Sequence, residues 1–484
     1  MIKFIITLSL ILCPAIPLSA QTDLVTLDSC RAMALKHNRQ LKIKRLNIKA
    51  ADYQHQEATA AFLPAIDFSG GYSYNQKKLS VFDSDQLLPT KTFNPATGNY
   101  EFNLVKNPTT GEPIKSPDGQ YIPETVALIP KESMTYDVHN VFFGAITISQ
   151  PIYMGGKILA MNRLSKFSQK LATTLLDHET EEVICAVDAA YWQVISLSAK
   201  HKLALSYITL LDSLRINVNA MLNQGVATKA DLLNIEVKLN QAQVDLARVE
   251  NASTLALMAL AKICGLDLNT TLLLPNELSA TSLLPQPNIN DSLNHVLARR
   301  PDYHALELGV KMRQQQERIA LSEMLPNVAM VGAYTFSNPN MFDGFSKRFD
   351  GAFSIGAMVT IPIWHWGGDY NKYRIAKTNV NIAKLSLDEA RDNIALQVSQ
   401  ATHKAQEAQK TLIAATTLLD KANENLRIAM ISFKEGVIPS SDVMEAQTAW
   451  LSAQSQLIDA KIEVRLCNLY LSKALGTLQY DTNS

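Results

Sequence analysis

The sequence predicts a mainly α protein that also contributes strands to a membrane β-barrel, built from two copies of one helix–strand–strand–helix–helix unit. Three observations predict it. A set of anchor residues recurs in the same order in both halves, four segments alternate with the period of a strand, and two stretches of more than 60 residues contain no proline and no internal glycine.

The anchors define the repeat. Asp28-Ser29 and Asp291-Ser292 each open a helical stretch, and Leu63-Pro64 and Leu325-Pro326 each close it. Gly70, Tyr72 and Tyr74 are then matched by Gly332, Tyr334 and Phe336. Two strand-to-helix junctions follow, Pro151 with Gly155-Gly156 and Pro362 with Gly367-Gly368. Gly225-Val226 with Asp231 matches Gly436-Val437 with Asp442, and Ala242-Gln243 and Gly265 match Ala453-Gln454 and Gly476. The spacing from Gly225 to Gly265 equals that from Gly436 to Gly476. The first repeat spans 21–280 and the second 281–484, joined by a Pro-, Ser- and Asn-rich linker near 275–290. The copies differ between their strands: the first carries a long polar, proline-rich segment, 76–135, and the second only about 338–350.

Composition narrows the class. The chain has 484 residues, with 45 basic and 45 acidic side chains, so charge gives no argument for nucleic acid. An apolar content of 47% is too low for a polytopic helical membrane protein. Residues 1–20 have the layout of a secretory signal: Lys3, an apolar run from Phe4 to Ile16, and small residues at Ser19 and Ala20. That run falls short of the roughly 20 residues needed to span a bilayer, and no later segment has 18 consecutive apolar residues. The mature chain therefore meets a membrane, if at all, through strands. Cys13 lies in the signal. Cys30, Cys185, Cys264 and Cys467 could form disulfides in an exported chain, but their scattered helix-like positions favour small buried hydrophobes.

The expected strands lie at about 66–75, 136–150, 327–337 and 350–361. Each sets an apolar, aromatic-rich face against small or polar residues: Ile66, Phe68, Tyr72 and Tyr74 oppose Asp67, Ser69 and Ser73 in the first. About ten residues is the length a tilted strand needs to cross a bilayer. Four strands cannot close a barrel, and open edges are not tolerated in lipid, so the chain must oligomerise. Two chains would give eight strands and a filled interior; three would give twelve and room for a pore.

The uninterrupted stretches, 157–223 and 369–435, predict helices of roughly 100 Å at 1.5 Å per residue, lengths that suit a tube and not a compact domain. Helices about half as long are expected at 29–62, 229–263, 291–325 and 441–475. A wall of one long helix beside two stacked short ones follows.

These residues resemble the TolC-like outer membrane efflux proteins over nearly the whole mature chain. The resemblance rests on the duplication, the Pro-x-aromatic…Gly-Gly junctions, the Gly-Val…Asp turns and the ending Ala474-Leu475-Gly476. It implies a homotrimer with a twelve-stranded barrel in outer-membrane lipid, continued by a long α-helical barrel in the periplasm. It also implies a passive duct of a tripartite efflux or secretion system, docked to a periplasmic adaptor and an inner-membrane pump of RND, ABC or MFS type. No enzymatic activity, cofactor, metal or nucleic acid is implied.

Two sites follow from the resemblance. The turns at 223–228 and 434–440 would be the tips that meet the adaptor, through Gly225, Val226, Gly436 and Val437. As local structure they are tight hairpins with left-handed glycine caps, Thr228 as an N-cap and Pro439 in a first turn. Asp442 and Glu445, three apart on one helical face, would form the periplasmic aperture, as stacked carboxylate rings that bind cations. Their plainer role is to favour the positive end of a helix, which is all that Asp231 does in the first copy. The family's polar gate links are absent, since the matching positions read Phe433 and Ile438.

Other chemistry is weak. No HExxH, P-loop, GxGxxG or GxSxG context occurs, and the nine histidines lack ligand spacing. A periplasmic adaptor would need one hairpin between short β-domains. A structural coiled-coil surface protein would need sustained heptads without strand–Gly-Gly–helix junctions.

Overall fold

The computed structural model describes residues 24–270, 272–275 and 292–478. The expected signal segment, 1–20, and the boundary between the repeats lie outside the described residues. Eight α-helices are described, besides a 3-10 turn at Lys131–Met134: α1 Leu27–His37, α2 Arg39–Ala60, α3 Lys157–Asn223, α4 Lys229–Ile263, α5 Leu293–Arg299, α6 Pro301–Ser322, α7 Gly368–Lys434 and α8 Ser440–Ala474. Ten strands are described: β1 Ala65–Tyr74, β2 Leu79–Ser80, β3 Gln86–Pro89, β4 Lys91–Asn94, β5 Asn99–Phe102, β6 Val126–Ile129, β7 Thr135–Tyr136, β8 Asn140–Met154, β9 Asn327–Asn338 and β10 Asp350–Thr360. The duplication is plain in the lengths: α3 and α7 have 67 residues each, and α4 and α8 have 35 each. Among the described residues, no helix is long and apolar enough to cross a membrane.

The described residues form two compact units, one of 57–161 and 318–373, the other of the remaining described residues. In the helical unit, the helices expected at 29–62 and 291–325 are each broken. Asn38 leaves the helix at ψ 131° after α1. Its Oδ1 then accepts from the amides of Gln40 and Leu41, at 2.8 and 3.3 Å, and caps α2. In the second copy Arg300 is extended at ψ 118° because it precedes Pro301, which opens α6.

The same two break residues serve the ends of other helices. Asn38 Nδ2 donates to the Ile263 carbonyl at 2.9 Å, the last residue of α4. Arg300 Nη1 donates to the Ala474 carbonyl at 3.1 Å, the last residue of α8. Both satisfy carbonyls that a helix leaves open. Gly265 follows α4 with φ +74°, and a Cβ there would lie 2.6 Å from the His37 carbonyl oxygen, so a side chain is excluded twice over. Around these ends sit two apolar cores. One gathers Cys30, Ala34, Leu41, Val187, Tyr191, Leu260 and Cys264, and its counterpart gathers Val296, Leu297, Ile394, Ala405, Leu471 and Leu475.

The other unit holds a four-stranded antiparallel sheet in the order β1-β8-β9-β10. Its register lines up Phe68, Ile146, Tyr334 and Phe353 across all four strands, and Asp67, Thr147, Ala333 and Ser354 beside them. Directly paired residues share a face, so the apolar sets of all four strands fall on one side. That side is exposed: Ile66, Phe68, Tyr72, Ile146, Tyr334, Phe353 and Ile355 are all open to the surroundings. Strands β1 and β10 are the edges of this sheet.

Strand β8 starts later and ends later than the expected 136–150. Residues 135–136 pair with β2 instead. Asp137 turns back locally, accepting from His139 Nδ1 at 2.6 Å and from Lys347 Nζ at 2.7 Å. At the other end β8 runs through Pro151, which has no amide to donate, and the register shifts between Pro151 and Tyr153. The 76–135 segment is a folded arm, built on β2–β7, β3–β6 and the β4–β5 hairpin.

Candidate aperture, hairpin tips and strand junctions

The two hairpins of the helical unit turn in the same way. Gly225 has φ +76°, its amide donates to the Leu222 carbonyl, and the Val226 amide donates to Met221 at 2.9 Å. Gly436 has φ +70°, its amide donates to Phe433, and the Val437 amide donates to Ser432 at 2.8 Å. Each is a left-handed Schellman close, which glycine adopts without strain. The valine that follows ordinarily packs back on the helix. Here Val226 is 70% and Val437 74% exposed, so both turns present a bare apolar side chain.

The helices that leave the turns start differently. Thr228 and Asp231 form a reciprocal capping box: the threonine hydroxyl accepts from the Asp231 amide at 3.2 Å, and the Asp231 carboxylate accepts from the Thr228 amide at 2.9 Å. Those bonds from Thr228 hold the Asp231 carboxyl below the usual carboxylate range. In the second hairpin Pro439 is the N-cap itself, not a first-turn residue, and no side chain caps α8. Asp442 and Glu445 lie in its first turns and are both exposed. Asp442 is engaged by the neighbouring Ser441 hydroxyl at 3.0 Å.

Behind the turns lies a shared apolar cluster. Leu214 and Val218 of α3, Ile235 of α4, Phe433 of α7 and Val443 of α8 are buried together, with Ile438 packed against them. Phe433 and Ile438, where the family's polar links would stand, are thus parts of one hydrophobic contact that joins both hairpins. Periodicity alone did not reveal this, because the residues come from four helices.

The strand junctions differ from the paired Gly-Gly reading. In the first, Gly155 and Gly156 are left-handed at φ +61° and +82°, and α3 begins at Lys157. In the second, the left-handed pair is Trp366 and Gly367, at φ +52° and +76°, while Gly368 opens α7. Gly367 therefore answers Gly156, and Trp366 answers Gly155. The sequence pairing is one residue out because the second loop holds one more residue between its proline and its glycines. Pro362 lies in that loop, past the end of β10, whereas Pro151 lies inside β8. Ile363, Trp364 and Trp366 stand exposed there, with the two indoles edge to face at 6.1 Å.

A charged cavity in the helical unit was not foreseen. Glu181, Glu182, Arg300, Asp302, Lys404 and Lys473 line it. Arg300 holds Asp302 through Nε at 3.0 Å and Nη2 at 2.6 Å. Burial, reinforced by the Asp302 charge, pushes the Glu181 carboxyl up to about 7.

Known proteins share this architecture. Residues 132–266 and 292–477 match the family model described as outer membrane efflux protein. Protein CyaE of Bordetella pertussis is 25% identical over 263 residues, 53% of this chain and 54% of that one, so the chain spans about half the length of CyaE. The outer membrane efflux protein BepC of Brucella suis is 21% identical over 463 residues, 94% of this chain and 86% of that one. The solved Campylobacter jejuni CmeC outer membrane channel superposes with a TM-score of 0.73 at 18% identity, covering 93% of this chain and 85% of that one. The chain belongs to the outer membrane efflux protein family, and is an outer-membrane protein of the Gram-negative type with most of its length in the periplasm.

Proposed function

We propose that this chain is the channel subunit of a tripartite efflux or secretion system, a passive duct from periplasm to exterior. One observation carries the reading: a four-stranded sheet with an exposed apolar face and two edge strands, β1 and β10. Such a sheet cannot stay open in lipid, because each unpaired backbone group would cost several kcal/mol. Pairing β10 of one copy with β1 of the next closes it. Three copies give twelve strands and an aqueous interior. Trp364 and Trp366 suit the membrane–water interface, where amphipathic rings collect.

The hairpin turns are the docking tips for a periplasmic adaptor, which links the duct to an inner-membrane pump of RND, ABC or MFS type. Exposed Val226 and Val437 are the apolar contacts that such a partner would cover. Asp442 and Glu445, repeated in three copies, form the periplasmic aperture. The name of BepC and the description of CmeC as an outer membrane channel support this reading. The test is the native mass of the purified protein together with its conductance in planar bilayers. A trimer that conducts ions is expected; a monomer, or a trimer that never conducts, overturns the proposal.

A further inference from the structure

We propose that Cys30 and Cys264 are joined by a disulfide in the exported protein, which fastens the first helix to the end of α4. The two residues are 234 apart in sequence, yet Cys264 Sγ lies 3.6 Å from the Cys30 carbonyl oxygen, and both side chains are fully buried in one core. Three further features hold the same two segments against each other. The Val25 amide donates to the Leu273 carbonyl at 2.8 Å, Asn38 Nδ2 donates to the Ile263 carbonyl at 2.9 Å, and Gly265 has no room for a Cβ against His37. The Cys264 thiol beside it, together with burial, pushes the Cys30 thiol up.

The duplication supplies an internal comparison. By the anchors, Leu293 stands where Cys30 does, and Leu475 where Cys264 does. Those leucines pack in the second core. Simple apolar packing therefore suffices at this place in the fold, and it does not account for two sulfurs meeting in the first copy. The inference rests on the periplasmic location, since that compartment is oxidising. It reverses the sequence-based preference for inert buried thiols.

The chemistry is ordinary exchange with a disulfide-bearing oxidoreductase of the export compartment. The thiolate of one cysteine attacks a sulfur of the oxidant's disulfide and forms a mixed disulfide, releasing one oxidant thiolate. The second cysteine's thiolate then attacks the first cysteine's sulfur and releases the other. Two S–H bonds are lost, one S–S bond forms, and two electrons and two protons pass to the oxidant, which leaves as a dithiol. Both sulfurs are shielded once α1 has docked, so the exchange precedes docking.

The test uses full-length protein from isolated outer membranes, denatured in acid and alkylated with N-ethylmaleimide before digestion. The expected product is a cross-linked pair of peptides carrying Cys30 and Cys264, two hydrogens lighter than the two thiol peptides, with Cys185 and Cys467 fully alkylated. Reductant should lower the unfolding midpoint of the wild type and leave that of Cys30→Ala unmoved. Alkylation of all four cysteines overturns the proposal, as does cross-linking of Cys30 to Cys185 or Cys467. A conducting trimer with four free thiols would remove the disulfide and leave the channel reading standing.

Discussion

Arg31 meets Asp188 through two parallel bonds: Nε donates to Oδ1 at 2.7 Å and Nη2 to Oδ2 at 2.5 Å. The fork matches both carboxylate oxygens and ties α1 to α3 beside the core of Tyr191 and Trp192. The two partners are unequally placed, since the Asp188 side chain is 4% exposed and that of Arg31 25%. Arg31→Ala therefore strands a buried carboxylate, at a cost of about 3 kcal/mol. Asp188→Ala leaves a guanidinium that reaches water and already touches Asp28 at 3.4 Å, at a cost of about 1–2 kcal/mol. Thermal unfolding of the detergent-purified protein measures both. Equal losses would show that packing, not the stranded charge, sets the cost.

Glu181 makes stability depend on pH in a stated direction. Its carboxyl is raised from 4.5 to about 7 in the folded chain, so the folded state binds this proton more tightly than the unfolded one. Below about pH 4 the group is protonated in both states and contributes nothing. As pH rises through the interval from 4.5 to about 7, folding loses stability, and above it the full penalty applies. Its ceiling is about 3 kcal/mol, reduced by partial exposure to solvent. Glu181→Gln should raise the unfolding midpoint at pH 8 and leave it unchanged at pH 4. A difference that stays flat between those values would remove the assignment.

Much of this was readable in advance, for physical reasons. Helix α3 begins and ends where its run without proline and glycine does, because nothing in that run interrupts the backbone ladder. The sheet faces followed from strict alternation, which a register slip would have reversed. The break at Pro301 has its signal in the sequence, a proline inside an otherwise helical stretch. The break at Asn38 had almost none, since it depends on one side chain capping a new helix start and a distant carbonyl. The arm strands are two to four residues long, too short for periodicity to register. The Phe433 cluster and the meeting of Cys30 with Cys264 join positions that only the folded chain brings together.

The two hairpins should differ in how they fray. Thr228 and Asp231 exchange side-chain and backbone bonds, and α8 has no such cap. Thr228→Ala should cost about 1 kcal/mol at the start of α4. Amide exchange in the first turn of α4 should then speed up to the rate seen in the first turn of α8. Unchanged exchange would mean that the tertiary cluster, not the box, holds that turn.

Phe433 joins the hairpins at their tips through apolar contact. It is buried against Leu214, Val218, Ile235 and Val443, from three other helices. Phe433→Ala removes that common contact, at a cost of about 3–4 kcal/mol. If the cluster holds the duct closed, the variant trimer conducts more than the wild type in planar bilayers at the same protein density. A variant that loses stability at the tip yet conducts as before would separate the cluster from closure.

Asp442 and Glu445 give the sharpest test of the aperture. They are exposed one turn apart at the start of α8, and three copies would place six carboxylates around one opening. Such rings attract cations and repel anions, and the effect weakens as salt screens the charges. The double variant Asp442→Asn, Glu445→Gln keeps shape and hydrogen-bonding capacity while removing the charge. Reversal-potential measurements under a salt gradient should show cation preference falling, most clearly at low ionic strength. If both carboxylates serve only the positive end of α8, the variant loses a few tenths of a kcal/mol of helix stability and its selectivity stays where it was.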